Sequence, residues 1–200
     1  MQRISTLLLM PVFFTGFFIV SCNSSGSNTS SSLTTPPLLI FDAGQMNADF
    51  GVGGRSAADT LCQNAFDLLS GTFTQTEVRA FVSFSGIDSI ADMPDNYDIP
   101  TDQEIYAPNG TKMADGWDDF LTGNLDHSLQ DEGIATGHPE WWSGADANGD
   151  LGTFHCTNFT SNSSMSYGAT GLTNATTNWL SGGGSDPCIN PSPYLLCLAY

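Results

Sequence analysis

Apolar residues occupy this chain in three regimes. From position 4 to position 20 they run almost unbroken behind Met1-Gln2-Arg3, over positions 23–38 they follow no period, and from Leu39 onward they recur in short spaced sets. In the third regime, Gly51-Val52-Gly53-Gly54 predicts a turn. Ser56, three residues ahead of Asp59, predicts a carboxylate capping box that opens a helix. Ala58, Leu61, Cys62, Ala65 and Phe66 then share one helical face, which places Cys62 in the core. β-branched and aromatic side chains over positions 78–84 predict a strand. Trp117, Phe120 and Leu121 share a face of a helical turn over positions 115–121, and positions 194–198 read as a buried terminal strand. Long stretches rich in Gly, Asn, Asp and Ser separate these elements, so the expected class is a loop-rich α+β domain.

The first regime has the organisation of a secretory leader: a short basic start followed by an apolar run too short for an ordinary membrane span. It closes on Ile19-Val20-Ser21-Cys22, which resembles the bacterial lipobox, where the thiol of the cysteine receives the diacylglycerol. Two or more acyl chains on Cys22 satisfy the condition for stable membrane attachment. Asn23, rather than Asp, after the cysteine favours passage to the outer membrane. The Ser, Thr, Gly and Pro of the second regime read as a flexible tether spanning about 22 Å. The expected organisation is a signal peptide over 1–21, the lipidated Cys22 with its tether over 22–38, and one domain over 39–200.

Charge narrows the partners. Four Lys and Arg stand against 21 Asp and Glu, for a formal net charge of -17, the reverse of the field that nucleic acid or heparin requires. With Cys22 set aside, four of the five cysteines remain: Cys62, Cys156, Cys188 and Cys197. An even number in an exported chain predicts two disulfides, for which arithmetic alone allows three pairings. No Cys-x-x-Cys spacing exists, and His127, His138 and His155 are too far apart in sequence to suggest a zinc site.

The order of several segments carries a resemblance. The run Gly53-Gly54-Arg55-Ser56-Ala57-Ala58-Asp59-Thr60-Leu61-Cys62-Gln63-Asn64-Ala65 is followed by Val78-Arg79-Ala80-Phe81-Val82-Ser83 and by Trp117-Asp118-Asp119-Phe120-Leu121-Thr122-Gly123. Trp142-Ser143-Gly144-Ala145-Asp146-Ala147-Asn148-Gly149, Cys156-Thr157-Asn158-Phe159-Thr160, Ala169-Thr170-Gly171, Cys188 and Leu195-Leu196-Cys197 follow in turn. Together these resemble endostatin, the C-terminal domain of certain collagens. They are more similar to its bacterial relatives, the leptospiral endostatin-like surface lipoproteins, in which Tyr106-Ala107-Pro108-Asn109-Gly110-Thr111 also has a counterpart. The resemblance implies a C-type lectin-like fold with a twisted, mostly antiparallel sheet, one main helix and long loops. It also implies pairing of Cys62 with Cys197 and of Cys156 with Cys188, and a core position for Trp142. Two properties do not carry over. No histidine lies between Leu39 and Leu61 to bind zinc as endostatin does, and past the leader only Arg55, Arg79 and Lys112 remain of a heparin-binding cationic patch. The Glu-Pro-Asn, Gln-Pro-Asp and Trp-Asn-Asp signatures of calcium-dependent sugar binding are also missing.

Two candidate sites remain. Asp146, Asn148 and Asp150 alternate along a loop, a spacing of oxygen ligands that suits calcium. Thr157 at the twelfth position and Leu151 where the sharp turn needs Gly rule out an EF-hand, and an Asx turn accounts for the same residues. Trp141, facing opposite to Trp142 on a strand, is the candidate exposed platform for a sugar or protein. Asp115, Asp118 and Asp119 read as a solvated helix start. No nucleophile with its base, and no defined carboxylate pair, marks a catalytic centre. The expectation is therefore a non-enzymatic outer-membrane or cell-surface lipoprotein, with calcium as its one candidate cofactor. Its partners would be the membrane, through its lipid, and an extracellular matrix protein, host protein or glycan. The alternative is a structural envelope lipoprotein with no host ligand.

Overall fold

A computed structural model describes residues 36–122 and 124–200. The leader, Cys22 and the tether as far as position 35 lie outside the described residues. Eight strands and three right-handed helices follow in the order β1 (Leu38–Gln45), α1 (Gly54–Phe66), β2 (Val78–Ala80), α2 (Met93–Tyr97), β3 (Ile105–Tyr106), β4 (Lys112–Ala114), α3 (Trp117–Leu121), β5 (Glu140–Trp142), β6 (Tyr167–Leu172), β7 (Gly184–Pro187) and β8 (Tyr194–Ala199). They form one mixed sheet in the order β4-β3-β1-β8-β5-β6-β7, with β2 also paired to β8. Pairing is antiparallel except for β1 with β3 and β5 with β8. The chain is thus α+β, with a mostly antiparallel sheet, few helices and two disulfides.

The terminal strand is the centre of the molecule. Every residue of β8 is buried, and its side chains alternate between two cores. Leu196 and Leu198 join Leu38, Ile40, Phe81, Trp141 and Trp179 on one face. Leu195, Cys197 and Ala199 join Leu39, Phe41, Ala58, Cys62 and Trp142 on the other, which α1 covers. Burial on both faces explains why the strand reads as a continuous apolar run rather than an alternating one. Leu38, assigned to the tether from sequence, is fully buried and pairs with Ile105, so the sheet begins one residue earlier than expected.

β2 and β5 share one edge of β8: Val78 to Ala80 pair with Ala199 to Cys197, and Trp141 pairs with Tyr194. That sharing shortens the strand expected over positions 78–84. After the Phe81 amide bonds the Leu196 carbonyl, the Ser83 amide turns to Ser143, just beyond β5. The capping box is corrected too. α1 starts at Gly54 behind Gly53, with no side-chain cap, and Ser56 lies inside its first turn. The Asp59 carboxylate instead accepts the Ala80 amide at 2.8 Å, tying helix to strand.

Disulfides join Cys62 to Cys197, 135 residues apart, and Cys156 to Cys188, 32 apart. The second bridge sits at an unusual segment. Cys156, Thr157, Asn158 and Phe159 have φ of 49°, 57°, 56° and 55°, one turn of left-handed helix without a glycine. The His155 Nδ1 accepts the Asn158 amide at 3.0 Å, and Thr160 Oγ1 donates to the Thr157 carbonyl at 2.6 Å. Phe159 is buried and stacks on Phe50 at 5.2 Å. Among the described residues no helix is long and apolar enough to cross a membrane.

Candidate functional site

In so acidic a chain the placement of the few cations is informative. Arg55, on the first turn of α1, is drawn inward and fully engaged. Its Nη2 and Nε donate to the two Asp88 carboxylate oxygens at 2.7 and 3.0 Å, a bidentate pair. Its other bonds go to the carbonyls of Ala80 and Val82, and its guanidinium lies 4.3 Å from the Phe84 ring centre. This arginine closes the end of β2 and leaves little of its charge for a ligand; its side chain is 15% exposed.

Arg79 is the more available cation. Strand alternation turns it to the face opposite Val78 and Ala80, toward Tyr97 at the end of α2, and its side chain is 28% exposed. Its guanidinium lies 5.3 Å from the centre of the Tyr97 ring, which Arg55 approaches at 5.4 Å. Its Nη2 donates to Glu77 Oε2 at 3.2 Å. Two adjoining hollows of about 540 and 460 Å³ meet at Arg79 and Tyr97. Ser56, Asp59, Thr60 and Gln63 of α1 wall the first; Glu77, Asn96, Asp98 and Tyr200 wall the second.

Burial shapes the titration of this groove. It pushes the Asp59 carboxyl above its ordinary range, against the opposing pull of the Ala80 amide and Arg55. Burial likewise raises the Tyr97 phenol to about 12, helped by the hydrogen bond it donates to Asp88 Oδ1 at 2.9 Å. Tyr200 is raised as well, again by burial. Both phenols therefore stay neutral donors at physiological pH. The Thr60 hydroxyl donates to the Ser56 carbonyl, and no histidine lines either hollow. The groove offers the Arg79 guanidinium beside the already engaged Arg55, several carboxylates, side-chain amides and two tyrosines. It presents hydrogen-bonding groups to a polar ligand, with no histidine to act as a base.

The sequence candidates fall elsewhere. Trp141 is a correction: it is fully buried, stacked 5.4 Å from Trp179, with its Nε1 donating to the Trp179 carbonyl at 3.3 Å. It faces away from Trp142 as strand alternation requires, but the sheet is covered on that side too. Gly171, directly opposite on β6, leaves the space its indole fills. Trp142 is equally buried in the other core and donates to the Met46 carbonyl at 2.8 Å. In the Asp146 loop, Asp146 Oδ1 accepts the amides of Asn148 and Asp150 at 2.8 and 3.1 Å, the geometry of an Asx turn, while the Asn148 and Asp150 side chains stand exposed. Asp118 and Asp119 occupy the first turn of α3. His127 faces Glu132 at 3.3 Å, His138 accepts the Glu140 amide, and His155 supports the left-handed turn, so the three histidines serve separate places. Among the described residues no group of three or more His, Cys, Asp or Glu side chains is placed to hold a metal ion. The groove escaped sequence reading because four separate segments supply it; its one linear signal is the scarcity of Arg and Lys.

Comparison with known proteins finds no matching family model and no matching curated protein.

Proposed function

We propose that this chain is an exported, lipid-anchored surface protein whose C-type lectin-like, endostatin-like domain binds an extracellular glycan without catalysing a reaction. The observation that carries the ligand assignment is the groove at Arg79 and Tyr97. Sugars offer many hydroxyls and little charge, and they are held by carboxylates, amides and guanidinium groups fixed before binding. Asp59, Gln63, Arg79, Asn96 and Asp98 supply that set around neutral tyrosine hydroxyls. A polyanion meets too many carboxylates here, and an apolar surface too few contacts. The finer fold assignment is supported by a single long helix bonded to a central terminal strand and by the ordered motifs. The anchor is supported by Cys22 closing the apolar leader.

The test is a glycan array with matrix proteins and host serum proteins printed alongside, probed with the wild-type chain, Arg79→Gln and Asp98→Asn. Asparagine tolerates the left-handed backbone of position 98, whose φ is 55°. Glycan binding lost in both variants is the expected result. Uniform absence of binding favours a structural envelope role, and binding indifferent to both substitutions removes the groove from the account.

A further inference from the structure

We propose that Phe154, Met165, Tyr167 and Ile189 form a docking surface for a zwitterionic lipid bilayer, a contact that adds to the proposed lipid anchor and rests on it for its orientation. Seven large apolar side chains stand exposed among the described residues, and these four, exposed by 44 to 87%, share one end of β6 and β7. The Phe154 and Tyr167 rings meet edge to face, with centres 6.3 Å apart. The Ala169 amide bonds the Phe154 carbonyl at 2.7 Å, so position 154 flanks one edge of β6. On the other edge Pro187 pairs with Tyr167, and the Cys188 amide bonds the Ser166 carbonyl at 2.9 Å, which sets Met165 and Ile189 beside the ends of the two strands. Gly168 lies against the Cys156 sulfur, so alternation turns Tyr167 and Pro187 to the face opposite the bridge.

The distribution of charge decides what can approach this end of the molecule. Of the 21 acidic residues, 20 precede position 151, and Asp186 is the one charged side chain from Leu151 to Tyr200. Asp186 pairs with Gly168 and so faces the other side of β7, where Asn190 Nδ2 donates to its Oδ2 at 2.8 Å. The loop that reaches Cys188 through the Ala48 amide carries Asp49, which is buried and accepts the Gly51 amide. The sequence neighbours of the four apolar residues are uncharged: Thr153, Ser164, Ser166 and Asn190 among them. Elsewhere the acidic surface holds its water and repels anionic surfaces; this end does neither. Exposed aromatic and aliphatic side chains with a phenol among them and hydroxyls around them match the headgroup level of a bilayer, where one side is apolar and the other wet.

Two features favour lipid over a second copy of this chain. Taking about 200 Å² for each whole residue, the four expose roughly 450 Å², near half of the about 800 Å² per partner that a stable complex buries. β7, the edge of the sheet beside the patch, is four residues long and contains Pro187, which has no amide to offer an added strand. Strand direction agrees with the anchor. β1 runs antiparallel to β8, and β6 runs antiparallel to β5, itself parallel to β8, so Leu38 and Tyr167 lie toward the same end of the sheet. A tether that enters at Leu38 keeps that end toward the bilayer.

The experiment reconstitutes the full chain with Phe154→Trp in phosphatidylcholine vesicles brominated at a shallow or a deep acyl position. The native tryptophans are all buried, so the introduced indole reports the patch, while flotation with the vesicles reports the anchor separately. The expected result is a blue-shifted indole quenched most by the shallow bromines, with Ile87→Trp, an exposed position in the turn after β2, left unquenched. Met165→Ser together with Ile189→Ser should lower the ratio of docked to undocked domain by about tenfold or more, and, both positions being exposed, should leave the melting temperature in detergent unchanged. Floating protein whose indole at position 154 stays unquenched overturns the docking and leaves the anchor standing. Protein that does not float is mixed with excess vesicles, and an unquenched indole there overturns the docking too. Equal quenching at positions 154 and 87 overturns the assignment to this face. A dimer in detergent that the paired serine substitutions dissolve, with no quenching by lipid, gives the face to a second copy instead.

Discussion

Removing the two disulfides in turn should separate chain entropy from backbone strain. On loop closure alone, opening Cys62–Cys197 should cost about 5 kcal/mol and opening Cys156–Cys188 about 3.7 kcal/mol, given separations of 135 and 32 residues. The second bridge, however, is attached to the left-handed turn of Cys156 to Phe159, where each non-glycine residue carries about 1–2 kcal/mol of steric penalty. Once the bond is gone, the exposed residues Thr157 and Asn158 are free to return to a right-handed or extended backbone, with Phe159 still seated on Phe50. Relief at those two positions alone offsets about 2–4 kcal/mol, so the measured loss should fall to about 2 kcal/mol or less. The assay is urea unfolding followed by tryptophan fluorescence for Cys62→Ala/Cys197→Ala and Cys156→Ala/Cys188→Ala. The first variant should be largely unfolded at 37 °C, since its loss approaches the whole stability of an ordinary domain, about 5–15 kcal/mol. A loss of about 3.7 kcal/mol or more in the second variant would refute the claim that the turn stores releasable strain.

Trp141→Ala should cost about 3–5 kcal/mol in the same assay, as for other fully buried tryptophans, whereas a surface platform would lose almost nothing. Gly171→Ala, whose methyl would press on the Trp141 indole and the Trp179 carbonyl, should cost about 1–3 kcal/mol by overpacking. Asp59 binds its proton more tightly folded than unfolded. Its stabilising effect is therefore full below the unfolded value near 3.8 and is lost as pH rises through the folded value; Asp59→Asn should flatten that part of the melting-temperature profile and raise stability at pH 7. Cys22→Ser should block incorporation of labelled palmitate and remove the protein from the membrane fraction; continued labelling would disprove the lipobox assignment.

The elements legible from sequence are those whose partners scarcely matter. β8 announces itself by five consecutive residues that read as buried, α1 by the spacing of Ala58, Leu61, Cys62 and Ala65, and α3 by Trp117 and Phe120. The even cysteine count gave two disulfides. What stayed hidden depends on distant neighbours. β2 ends early because β5 competes for the same edge of β8, and no local propensity encodes that competition. Trp141 reads as outward from alternation, yet the layer containing Trp179 and Phe120 covers it. Ser56 and Asp59 have capping-box spacing, but the helix already begins at Gly54, two residues before Ser56, and Asp59 is claimed by β2. The groove draws on residues more than ten positions apart that only strand pairing and helix docking assemble, so periodicity could not reveal it.

The shared edge of β8 also defines a path for mechanical load. Leu39 on β1 and Val78 on β2 both pair with Ala199 from opposite sides, so three strands meet at one level of the sheet. Arg79 lies one residue further along β2, and Cys197, two residues along β8, is bonded covalently to α1. Under the proposed anchor and groove ligand, a tug between the two would run sideways across these three strands and into α1 through a covalent link. The region around Trp141, Trp179 and α3 lies off that line. Under tension it is a bystander, and the bond between Cys62 and Cys197 is the rivet.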